Sequence, residues 1–236
     1  MRGLGTILNI GAVATGTVVG VALGARLPER IRATVLSGLG VFVAFLGIRE
    51  AGATHNPVMM LGALLLGGLL GELLSLDDRV ESLGTAIERR VGAEGAERDD
   101  DARSRFVEGF LVASLVFCVG PLTILGSIQD GLRGDIDLLA TKSLLDGFAA
   151  LAFAATLGWG VGASIVTIAG FQGGLTAAAA LFDDVLTDRM VDEMSAVGGL
   201  ILLVLALRLL DLREVRVASF LPAIVVAPVL VAVFGR

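Results

Sequence analysis

Residues 138–157 read LLATKSLLDGFAALAFAATL. As an α-helix rising 1.5 Å per residue, this block covers about 30 Å, the thickness of a bilayer's hydrocarbon core. Its apolar residues surround the helix instead of forming a stripe. Yet Lys142 and Asp146 stand inside the block, one turn apart on one face. A charge at the bilayer centre costs about 2.5–3.5 kcal/mol on insertion scales, so such a residue faces a partner or a water-filled cavity. Lys142 is long enough to snorkel outward. Asp146, about 12 Å from the start of the block, is too short to do so easily.

Seven more apolar segments flank this one, at about 4–24, 34–49, 57–75, 106–126, 159–182, 194–210 and 217–235. The chain is 55% hydrophobic and 18% charged, against about 25% charged for a soluble domain. Its mean hydropathy is +0.86. These features predict an all-α, polytopic transmembrane bundle of about eight spans. The alternating ten-residue segments of a membrane barrel are absent from the sequence. A net charge of −6 gives no basic patch for nucleic acid. The single Cys118 cannot form an intrachain disulfide, and the lone His55 has no second His to share a metal. No cofactor is expected, and no metal ligand set is assigned. The first segment is too long for the apolar region of a signal peptide and reads as a retained span. Segments five and six, separated by Gly158-Trp159-Gly160, form either a tight hairpin or one broken helix.

With eight spans, loops one, three, five and seven share a side and hold twice as many Arg and Lys residues as the other side. The positive-inside rule puts them in the cytoplasm, both termini outside, and the protein in the cytoplasmic membrane. The third loop, 76–105, is the one sizeable soluble piece. Ser75 to Asp78 resembles a capping box. Leu76, Val80, Leu83, Ile87 and Val91 then recur at helical spacing, with Arg79, Glu81, Glu88 and Arg89 facing elsewhere, so a surface amphipathic helix is expected. It is either a solvated spacer or a partner-binding element. Residues 92–101 (GAEGAERDDD) read as a flexible linker.

The chain echoes itself. Leu27-Pro-Glu-Arg30-Ile31 precedes segment two as Leu186-Thr-Asp-Arg189-Met190 precedes segment seven. The same register pairs Gly11 with Gly170, Gly40 with Gly199 and Arg49 with Arg208. Segments one to three thus read as a distant copy of six to eight, crossing in the opposite sense, an inverted repeat of the kind found in secondary transporters. The organisation follows: an N-terminal three-span unit (1–75), the cytoplasmic helix and linker (76–105), a central two-span unit (106–158) and a C-terminal three-span unit (159–236). Gly16, Gly20 and Gly24 stand four apart on segment one, and Gly170 and Gly174 on segment six. Small residues at this spacing let helix backbones meet, within the chain or in a homodimer.

The candidate site residues are Asp146, Lys142, Asn9, Gln129, Asp130 and Gln172. Either Lys142 and Asp146 neutralise each other as a structural bolt, or Asp146 supplies the charge of a cation or proton site. Gly120-Pro121 interrupts span four, and Gly126, Gly131 and Gly134 permit non-helical backbone beside Gln129, Asp130 and Asp135. That stretch is either a re-entrant element or an ordinary external loop. Asn9 and Gln172 lie on the first spans of the two copies, which favours a shared midplane site.

Several stretches resemble one family: GTILNIGAVATGTVVGVALGARLPERIR, GSIQDGLRGDIDLLATKSLLDG, FQGGLTAAAA, and LTDRMVDEMSAVGGLILLVLALRLLDLREVRVASFLPAIVVAP. They resemble the prokaryotic membrane-protein family labelled YqgA-like or YdfK-like, a domain of unknown function. The likeness covers nearly the whole chain apart from the third loop. It implies a polytopic inner-membrane protein, described as a possible sodium channel or pump, and brings no ligand residues with it. The expected function is passage of a small cation or small solute across the cytoplasmic membrane. Asp146 is the anchor, Gln129, Asp130, Asn9 and Gln172 are oxygen ligands, and Lys142 is a movable counter-charge. The alternative is a non-transporting scaffold acting through the 76–105 loop. No HExxH, GxSxG or P-loop pattern is present, so an enzyme is not expected.

Overall fold

A lipid-exposed chain must satisfy every backbone N–H and C=O internally, and helices do so within one segment. The computed structural model describes residues 2–26, 28–80, 82, 100–118, 121–179 and 186–234. Among them every regular element is helical: α1 (Leu4–Gly24), α2 (Glu29–Ala51), α3 (Pro57–Leu73), α4 (Asp100–Cys118), α5 (Pro121–Arg133), α6 (Asp137–Leu157), α7 (Gly160–Ala163), α8 (Ile165–Ala177), α9 (Asp188–Leu209), a 3-10 turn (Val217–Phe220) and α10 (Ala223–Phe234). Six helices are long and apolar enough to cross a membrane, or seven if α4 and α5, bent by 63° at their junction, form one span. The apolar α3, at 17 residues, is shorter than these. The protein is therefore a multi-pass helical membrane bundle.

Local chemistry sets several ends. Asn56 caps α3 by accepting from Val58 N at 3.0 Å and Met59 N at 3.3 Å, with Pro57 at the first position, where its missing donor costs nothing. Thr187 caps α9 through Met190 N at 3.3 Å. Gly158, at φ +75°, stops α6 and turns the chain back, so segments five and six form the hairpin rather than a broken helix.

Glycine lets the helices touch. α1 and α6 run parallel: Gly5 lies beside Leu139, Gly16 beside Gly147, Gly20 beside Leu151 and Gly24 beside Ala155. A methyl group at any of these four glycines would sit closer than 3.0 Å to its neighbour. α2 and α9 run antiparallel, with Gly40 against Leu210 and Gly199 against Ala51. α3 and the C-terminal span are antiparallel too, with Gly67 against Ala223 and Gly71 against the Ser219 carbonyl. Gly11, Gly170 and Gly174 have no described atom within 4 Å of where a side chain would begin.

Two expectations are corrected. Gly126 and Gly131 do not break the chain; both lie within α5, where Leu139 approaches the first and the Thr176 carbonyl the second. Close packing is their use, and only Gly134, at φ +70°, makes a turn. The capping box at Ser75 is also absent. Ser75 adopts φ +48°, while Asp77 accepts from Ala218 N at 3.0 Å and Asp78 from Arg216 Nη2 at 2.7 Å. These contacts clasp the helical residues 76–80 to the 3-10 turn. Residues 92–99, most of the expected amphipathic helix and Gly120 lie outside the described residues.

Candidate functional site

Close contact between α1 and α6 brings Asn9 to Asp146, 137 positions away in sequence. α8 crosses α1 in the opposite sense and brings Gln172 to the same point. The Asn9 amide nitrogen donates to Asp146 Oδ2 at 3.0 Å and to Gln172 Oε1 at 3.0 Å. Gln172 Nε2 then donates to Thr6 Oγ1 at 3.3 Å. The Thr6 hydroxyl lies 3.5 Å from that of Thr176, which donates to the Gln172 carbonyl at 3.0 Å. Asn9 and Gln172 are 0% exposed, Lys142 5% and Asp146 6%.

This amide orientation is forced. Exchanging the Asn9 nitrogen and oxygen would set an acceptor against two acceptors. The consequence is that Asn9 Oδ1 is buried with no hydrogen-bond partner. Such an orphan costs about 1–3 kcal/mol unless something else answers it.

Lys142 and Asp146 form the ion pair that their spacing allows, between Nζ and Oδ2. The ammonium also lies 6.0 Å from the Phe117 ring centroid, near enough for a cation–π attraction. The pair is not sealed. Both residues line a cavity of about 460 Å³ between α2, α4–α5 and α6. Its walls include Phe42, Phe45, Phe148 and Phe153, and Arg49 and Glu50 also line it, paired at 2.6 Å. Asp146 lies about 13 Å along α6 from its start.

Four of the six expected site residues therefore meet: Asp146, Lys142, Asn9 and Gln172. Asp130 is placed elsewhere. Its buried carboxylate accepts from Gly3 N at 2.9 Å and Gly5 N at 3.0 Å, satisfying the open amides at the start of α1. Gln129 is half-buried on α5 and takes no part in the hydrogen-bonded chain. Thr6 and Thr176 were not among the expected residues. Their spacing could have suggested them, since Thr6 precedes Asn9 by three and Thr176 follows Gln172 by four, on the same helix faces. Among the described residues no three His, Cys, Asp or Glu side chains gather into a metal site.

A second polar cluster serves the fold. Glu193, 1% exposed, accepts from Thr54 Oγ1 at 2.8 Å, His55 N at 2.7 Å and Asn56 N at 2.9 Å. It fixes the α2–α3 turn to the start of α9. His55 Nε2 reaches Asp192 at 2.9 Å on the exposed side.

The family described as "Protein of unknown function (DUF554)" matches residues 4–232. "Uncharacterized protein YqgA" of Escherichia coli (strain K12) is 34% identical over 224 residues, covering 95% of this chain and 94% of that protein. "Uncharacterized membrane protein YdfK" of Bacillus subtilis (strain 168) is 26% identical over 233 residues, covering 97% and 96%. No solved structure matches the chain.

Proposed function

The chain belongs to the DUF554 family, and from that premise we propose that it moves a small cation or small solute across the cytoplasmic membrane, with Asp146 as the charged anchor. One observation carries the reading. A carboxylate deep in a membrane span lines a cavity on one side and, on the other, is held by an amide from a crossing helix. A purely structural bolt needs no cavity. Lys142 is the counter-charge that a transported group displaces or joins, and Asn9 and Gln172 hold the carboxylate in place.

The helix pairing supports the same reading. α1 with α8, α2 with α9, and α3 with the C-terminal span are the partners that the 159-residue echo relates, and each pair is antiparallel and in contact. That is the arrangement expected of an inverted repeat, whose two halves rock about a midplane site in alternating access. The two ends of the bundle are built differently: Arg49 lines the α2–α6 cavity, whereas Arg208, the equivalent of Arg49, lies 4.0 Å from Glu108 on α4. The positive-inside bias places both termini outside in this reading. Binding and passage are the whole of the proposed activity, with no catalysis.

Stopped-flow light scattering on proteoliposomes under gradients of sodium chloride and of small polar solutes tests it. The parent protein should speed at least one flux, and Asp146→Asn should return that flux to background. An Asp146→Asn protein as active as the parent removes the mechanism.

A further inference from the structure

We infer that the cavity beside Asp146 takes an uncharged amphiphile: an apolar chain tipped by one neutral group that both accepts and donates a hydrogen bond, such as a primary carboxamide or a hydroxyl. The inference rests on reading this cavity as the transport site and names the class of solute.

Charge balance is the first reason. The four charged residues on the lining are already matched, Arg49 with Glu50 and Lys142 with Asp146. A lone cation or anion would enter a lining already at net zero charge and leave one charge uncompensated in a partly desolvated site, which disfavours it. A neutral ligand avoids that cost.

Unused hydrogen-bonding capacity is the second. An ammonium carries three donors. Among the described residues Lys142 Nζ has one acceptor, Asp146 Oδ2. That same oxygen also accepts from Asn9, whereas Oδ1 accepts from no described residue. The ion pair on the cavity lining thus has spare donors beside a spare acceptor. A carboxamide or hydroxyl answers both, its oxygen accepting from Lys142 and its N–H or O–H donating to Asp146 Oδ1.

The walls decide the rest. Phenylalanine and leucine dominate them, and Phe45, Leu145 and Phe148 are 58%, 58% and 69% exposed on helices that cross the membrane. The mouth therefore opens toward acyl chains, and the ligand arrives dissolved in lipid. A bare monatomic cation fits poorly. Hard cations take roughly six or more oxygen ligands, and the lining side chains that carry oxygen are Glu50, Thr123 and Asp146. Of these, Glu50 is paired with Arg49, and three side chains are too few to complete such a shell.

The test uses the full chain in proteoliposomes with one reporter thiol on the lining, Ala149→Cys in a Cys118→Ala background. The rate of maleimide labelling is read with hexanamide, hexylammonium, hexanoate or hexane present at matched membrane concentrations. Hexanamide should slow labelling by about fivefold or more at saturation, and the three others by less than about twofold. Adding Asp146→Asn should abolish the protection. Leu145→Cys gives the same readout if the first reporter does not assemble. Equal protection by hexane shows an apolar filler only and overturns the inference. Stronger protection by either ion, or protection by none of the four, overturns it as well. The flux measurement on the same vesicles, extended to a hexanamide gradient, separates the two readings. Protection without Asp146-dependent flux supports the ligand class and removes transport. Asp146-dependent flux without hexanamide protection removes the ligand class and leaves transport standing.

Discussion

Asn9 Nδ2 lies 3.0 Å from Asp146 Oδ2, joining α1 to α6 across 137 positions of sequence. The bond exists because glycines at 16, 20 and 24 let the two backbones come together. Geometry at the site thus depends on residues that carry no functional group.

Gly20→Val should be severely disruptive, since even its first side-chain carbon would collide with the Leu151 carbonyl and the Ala154 methyl. Overpacking of this kind costs about 1–3 kcal/mol or more. Gly11→Ala, on the same helix but facing open space, should be close to neutral. Thermal unfolding of the two purified variants in one detergent checks the contrast, and equal melting temperatures would contradict the packing described.

Asn9 and Gln172 should be energetically coupled. Asn9→Ala leaves the Gln172 carbonyl oxygen without its donor, so adding Gln172→Ala should cost less than it does alone. A double-mutant cycle by unfolding should give a coupling of about 0.5–1.5 kcal/mol, in line with polar contacts between membrane helices. Strict additivity would mean that the two amides do not share a bond.

Glu193→Ala should destabilise the protein by about 2–4 kcal/mol, because three donors at the α2–α3 turn lose their acceptor together. His55→Ala removes only an exposed pairing with Asp192 and should cost under about 1 kcal/mol. Chemical unfolding of both variants ranks them, and the reverse order would refute this assignment.

Arg216→Gln should release residues 76–80. The guanidinium holds Asp78 at 2.7 Å and Glu72 at 3.0 Å, and these carboxylates, Asp78 foremost, keep it above its usual range. The sign follows from the raised value. The stabilisation is fully present below the guanidinium's unfolded pKa and fades only as pH climbs through the folded one, so alkaline solution up to about pH 10 leaves the clasp shut. Limited proteolysis should cut the variant near 76–80 faster than the parent from about pH 6, where the partner carboxylates are ionised, up to about pH 10. Indistinguishable digestion patterns would show that the clasp does not hold the segment.

Much of the site was readable in advance, for a physical reason. Lys142 and Asp146 are four apart, and helical geometry alone puts them on one face. Buried polar residues are rare in an apolar span, so Asn9 and Gln172 stood out. Asp130 stood out equally but has a different use. Whether a carboxylate meets a cation, an amide or the open end of a distant helix depends on what packs beside it, and no local pattern carries that information. Gly126 and Gly131 misled in the same way: their backbone freedom suggested a break, while the structure uses only their small size.

The sequence by itself determined that this chain is a helical membrane bundle, where most spans lie, and which charges must find company inside it. Those properties follow from hydropathy and the helical repeat, which act along the chain. Only the tertiary structure decided that α1 pairs in parallel with α6, that the Lys142–Asp146 pair opens onto a cavity, and that Asp130 caps α1. Those depend on which glycine faces which backbone. In a solvent as apolar as the side chains, helices are matched by close fit rather than by burial from water.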